Sequence, residues 1–144
     1  MHDFIQWLFP LDTPSPVNPA APTLTSADCV AFARDEQMRA NLLRAFERML
    51  RFYGFASNQR ANELRINRSH NWPERSREWL WPGNHNYLRI TRILRSLNLL
   101  GRPEESRAFY AALLDAAREL NPSVIGQTTL AFWKDAATID SHTP

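Results

Sequence analysis

Thirteen arginines fall between residues 37 and 102, against four acids, and they are the side chains of this sequence with the most chemistry to offer. Arginine presents a planar fork of donors that grips carboxylate and phosphate oxygens in pairs. Arg44, Arg48 and Arg51 recur at helical spacing. Arg89, Arg92, Arg95 and Arg102 lie in a stretch from Trp79 to Pro103 that holds no acid. The ends of the chain have the opposite sign. Residues 1–36 carry five acids and one Arg (−4), residues 37–102 come to +9, and residues 103–144 carry six acids and three bases (−3), giving the net +2. Two readings are open. The arginines form a surface for an anion, be it nucleic acid, a peptide carboxylate or an acidic partner. Alternatively, the acidic ends wrap the basic middle and neutralise it from within.

The first reading has a specific location. Trp79, Trp81, Asn84, His85, Tyr87, Arg89 and Arg92 cluster around the start of a long helix, where backbone N–H groups favour an anion and aromatic rings can stack on a ligand. A short peptide that sets its carboxylate against one Arg and its side chains against the aromatics would bind there with little dependence on salt. The alternative basic surface is Arg44, Arg48, Arg51 and Arg95, the set a nucleic-acid-binding helical domain would use, with steep salt dependence. The plainer reading of the aromatics is core, and that of His85 a cap-region histidine.

Other chemistries find no footing. The histidines stand at 2, 70, 85 and 142, with no pair one helical turn apart, so no metal site is expected. Cys29 is the only cysteine; it has no activating neighbour in sequence and reads as a small buried hydrophobe, and no disulfide framework exists. Glycines only at 54, 83, 101 and 126 leave no phosphate-cradling loop, and no nucleophile elbow surrounds any serine. The paired acids Asp35-Glu36 and Glu104-Glu105 sit at helix starts and read as capping. No catalytic residue and no cofactor is expected, and the protein is expected not to be an enzyme.

The elements that would position these residues read as helices. Asn84 to Leu100 is the central one: Tyr87, Ile90, Ile93, Leu94, Leu97 and Leu100 share a broad apolar face, and Leu88 and Leu99 fall on the opposite side. Apolar residues on two faces predict neighbours on both sides, and hence burial of both Leu88 and Leu99. Asn84 or Asn86 would cap this helix and Gly101 end it. Thr25 starts a short helix closing near Arg34; Asp35 caps the next, which runs to Tyr53 and stops at Gly54. Pro73 opens a short helix between Trp72 and Pro82, Pro103 opens one that reaches Asn121, and Ser123 caps the last, in which Ile125, Phe132 and Trp133 share a face. Residues 56–71 are polar, with at most a short helix or turn at 61–64. The fold class is therefore all-α: one domain of five to six helices over residues 26–137. Residues 1–25 form an anchor and an irregular Pro-rich strap, expected to dock through Trp7 and Phe9, and residues 138–144 a frayed tail. No signal peptide or membrane span is read, which points to a soluble, cytoplasmic protein.

Three blocks carry a family resemblance: DFIQWLFPL at 3–11 with VNPAAPTLT at 17–25, LLRAFERMLRFYGF at 42–55, and NHNYLRITRILRSLNLLG at 84–101. In sequence and order they resemble the conserved domain of the opioid growth factor receptor family. The resemblance implies a helical domain and, in the animal receptors, binding of an enkephalin peptide and association with the nucleus and nuclear-envelope membranes. Those receptors continue well beyond this domain. The resemblance transfers no ligand-contacting residue.

Overall fold

Residues 8–11 and 23–138 are described in the computed structural model. The first helix, α1 (Ser26–Arg34), is set by a capping box. The Thr25 hydroxyl accepts from Asp28 N, and the Asp28 carboxylate accepts from Thr25 N at 2.9 Å. Asp35 closes α1 and opens α2 (Glu36–Tyr53), its carboxylate accepting from Met38 N at 3.0 Å. Along α2, Leu42, Phe46, Met49, Leu50 and Tyr53 form the buried stripe. Gly54 ends it in the left-handed conformation, φ +96°. Only glycine fits there, because a Cβ would also meet the Trp72 Cα at 3.0 Å.

The chain then departs from all-α. Phe55–Arg60 (β1) and Glu63–Arg68 (β2) form an antiparallel hairpin. Ala61 and Asn62 are its two-residue turn, both at positive φ, as a type I′ turn requires. The turn expected at 61–64 is present, but as the tip of a hairpin. The strands form because one face has something to bury: Phe55 is wholly buried and Ile66 nearly so. Arg68 ties β2 to a later helix, α5 (Pro103–Arg118), donating to Glu119 just past its end at 2.8 Å, with Asp115 at 3.7 Å. The fold is mostly helical with one small sheet.

Next, α3 (Trp72–Trp79) has Pro73 in its first turn and buries Trp79, whose indole N–H donates to the Tyr53 carbonyl at 3.1 Å. The central helix is α4 (Asn86–Leu99), followed by Gly101 at φ +83°. Its second half is buried except at Arg95, which is half-buried. Ser96 Oγ donates to Pro10 O at 2.9 Å, Asn98 Nδ2 to Ala136 O at 2.6 Å, and Leu99 is 8% exposed. Leu88, on the same face as Leu99, is 73% exposed, contrary to the two-sided burial expected of it. Just beyond the far end, Gly101 lies against Ala33 of α1.

Helix α5 begins at Pro103 as expected and ends at Arg118. The next helix, α6 (Pro122–Ile125), is a single turn capped by Asn121 rather than Ser123, the Asn121 carboxamide accepting from Ser123 N at 3.0 Å. Gly126 at φ +88° separates it from α7 (Gln127–Thr138). On α7 Trp133 is fully buried while Phe132 is 54% exposed. The described residues thus hold seven helices, one more than the upper expectation, because Gly126 splits the last.

The core is a run of edge-to-face rings, Tyr53–Trp79 at 5.1 Å, Trp79–Tyr87 at 6.4 Å and Tyr87–Trp133 at 5.8 Å, with Phe46 against Phe109 at 5.6 Å. Phe9 is fully buried, and Leu24 N donates to Leu11 O at 2.7 Å, so the entry and exit of the strap are both fastened. Trp7, residues 12–22 and the tail beyond Thr138 lie outside the described residues.

Candidate functional site

The start of α4 is built on a ladder of amides. Asn84 Oδ1 accepts from Asn86 N at 2.8 Å and from Asn86 Nδ2 at 2.9 Å. Asn86 Oδ1 in turn accepts from the Tyr53 hydroxyl at 3.1 Å and from Arg89 Nη1 at 3.4 Å. Both asparagines are buried, at 4% and 3% exposure. Burial pushes the Tyr53 phenol far above its usual value, so it stays a protonated donor to Asn86. Asn84 Nδ2 is buried and has no hydrogen-bond partner among the described residues. His85, exposed between them, occupies the N-cap position and supplies no side-chain cap. Asn84 does the capping from one residue earlier, and its carbonyl accepts from Tyr87 N at 3.1 Å. The helix start therefore spends two of its N–H groups internally.

The seven residues expected here divide by exposure. Trp79, Asn84 and Tyr87 belong to the buried structure beneath the helix start. The Tyr87 hydroxyl donates to Val124 O at 3.1 Å, and burial pushes it up to about 12. Trp81, 46% exposed, and His85 face solvent, and Arg89 and Arg92 are half-buried. Desolvation pulls the Arg92 guanidinium below its usual value. Leu88 joins the exposed set, so Trp81, His85 and Leu88 are exposed before and within the first turn of a helix whose start is tied to the core through Asn84, Asn86 and Tyr53. The sequence marks Asn86 only as a cap candidate and Tyr53 only as the end of a helix; their hydrogen bond joins residues 33 apart and has no local signal.

Of the alternative basic surface, Arg44, Arg48 and Arg51 are exposed along α2, and Arg44 Nη2 donates to Asn41. No ion pair to these three occurs among the described residues. Arg95 sits on α4 and is half-buried. Among the described residues no group of three His, Cys, Asp or Glu side chains is placed to hold a metal ion, and no helix is long and apolar enough to cross a membrane.

Residues 1–133 match the opioid growth factor receptor (OGFr) conserved region. The chain belongs to that family. Over 100 residues, 69% of this chain, it is 42% identical to the human opioid growth factor receptor and 45% identical to that of rat, covering 14% and 17% of those proteins. The mouse opioid growth factor receptor-like protein 1 is 39% identical over 100 residues, 21% of its length. The chain thus spans a small part of the curated relatives it matches, and those relatives are named as receptors. No solved structure matches.

Proposed function

We infer that this chain is a non-enzymatic binding module of the receptor type, and that its ligand is a short peptide of the opioid kind seated at the open start of α4. Membership of the family carries the reading, since its relatives are named for an opioid growth factor. The placement is supported by what surrounds the helix start. Trp81 and Leu88 offer apolar surface to a peptide's aromatic and aliphatic side chains, and exposed apolar groups beside a rigid polar base suit recognition. Arg89 and Arg92 supply positive charge for a terminal carboxylate. The buried brace below keeps these groups in place before the ligand arrives. The nucleic-acid alternative gains no support from the family.

The test is a titration with an enkephalin peptide, and separately with duplex DNA, at two ionic strengths. Peptide binding that weakens several-fold in Trp81→Ala and changes little with salt is the expected result. Salt-steep DNA binding, with a slope of ~0.9 per phosphate contacted and lost in Arg44→Glu/Arg48→Glu, would replace this reading.

A further inference from the structure

The hairpin leaves the outer edge of β1 without a strand partner among the described residues. Ser69 N donates to Gly54 O at 2.8 Å, which fixes which residues face across the ladder. With Phe55 opposite Arg68 and Ala56 opposite Asn67, the alternation makes Ala56, Asn58 and Arg60 exchange hydrogen bonds with β2. Ser57 and Gln59 consequently turn their N–H and C=O groups away from β2. The sheet has two strands, so no strand among the described residues pairs with that side of β1, and residues 56–60 are all exposed. Natural edges are usually blunted by proline, a bulge or a covering element. Among the described residues this one has none of these.

A groove of about 290 Å³ runs beside that edge, lined by Phe55, Ala56 and Ser57 of the strand and by Glu47, Leu50 and Arg51 of α2. Arg51 closes the stripe begun by Arg44 and Arg48, three exposed arginines one helical turn apart with no ion pair among the described residues. The groove therefore combines unpaired backbone donors and acceptors, an apolar floor and a positive wall with a single acid, Glu47.

We propose that the β1 edge docks an extended acidic segment of a partner protein. The segment adds as a third strand on Ser57 and Gln59, and its Asp or Glu side chains meet the Arg44/Arg48/Arg51 stripe. Main-chain pairing supplies affinity and the flanking side chains supply selectivity. Charge decides against a second copy of this chain on the same edge, since its β1 carries Arg60 and no acid. The surface lies on α2 and β1, not at the start of α4, so it stands or falls separately from the opioid-peptide reading.

The experiment is selection from a displayed library of random octapeptides on the whole chain, followed by affinity measurements on the enriched peptides. Enriched sequences should be rich in Asp, Glu and β-branched residues and free of proline. Their affinity should fall at least about tenfold in Ser57→Pro, which removes an edge N–H but no ladder bond. A similar loss is expected in Arg48→Glu/Arg51→Glu, and none in Trp81→Ala. Should Ser57→Pro unfold, peptides N-methylated at alternate amides carry the same test, and they should lose binding to the unaltered protein. The proposal is overturned if no acidic peptide is enriched, or if enriched peptides tolerate both the proline and the N-methyl groups. A chain that dimerises through this edge, becoming monomeric in Ser57→Pro, would overturn it in favour of self-association.

Discussion

Leu88 and Leu99 lie on one face of one helix, yet the first is 73% exposed and the second 8%. The two ends of α4 differ in what surrounds them. At the far end, Ser96 and Asn98 hydrogen-bond to the carbonyls of Pro10 and Ala136, so the N-terminal anchor and α7 are both fastened to the helix, and α1 lies against Gly101 just beyond it. At the near end the polar residues work beneath the helix instead. Asn84 and Asn86 link it to Tyr53, while Trp81, His85 and Leu88 are left in solvent. One end is closed by its hydrogen bonds; the other is stiffened by them without being covered.

The largest effect that could break this contrast is at the anchor. Phe9 is fully buried beside the closed end, so Phe9→Ala should cost about 3–5 kcal/mol and lower the melting temperature by roughly 8–15 °C. An unchanged transition in differential scanning calorimetry would mean that the anchor closes nothing. Next comes the leucine pair. Leu99→Ala should cost ~2–5 kcal/mol, whereas Leu88→Ala should stay within ~0.5 kcal/mol, as surface substitutions do. Equal losses in urea unfolding would erase the difference between the ends.

A smaller effect concerns the two tyrosines under the open end. Both phenols are raised by burial, Tyr87 to about 12 and Tyr53 further. Unfolded tyrosine ionises near ~10. Below that pH both states keep the proton and stability is unaffected. As pH rises from ~10 towards about 12, the unfolded chain releases protons that the folded chain retains, and stability falls. Denaturation followed between pH 8 and 12 should show this alkaline loss, and Tyr87→Phe should reduce it. A flat profile would show that the tyrosines are not held in a low-dielectric base.

Most of the helices were legible because their ends carry local chemistry. Thr25 with Asp28, Asp35, Gly54, Gly101 and Pro103 each act within a few residues of themselves. The hairpin was not legible. Its strands are polar, with FASNQR and ELRINR showing little alternation, and its turn is Ala-Asn without the glycine that usually signals positive φ. Its stability comes from Phe55 and Ile66 meeting the core and from Arg68 meeting Glu119, 51 residues away. The same limit applies at the site. Trp81, His85 and Arg89 could be picked out by residue type. The hydroxyl that braces them, Tyr53, reaches Asn86 across 33 residues, and no periodicity encodes that pairing. Helical spacing placed Leu88 and Leu99 on one face correctly, but which end is covered depends on tertiary neighbours.

Whether the open end of α4 is where a ligand sits can be read from backbone amide exchange across the helix, with and without a saturating enkephalin peptide. Slower exchange over residues 83–89 on binding is expected, with no change over residues 96–99, already held by the contacts of Ser96 and Asn98. Peptide that binds while leaving residues 83–89 unprotected, or that fails to bind at all, would contradict a binding site at that end.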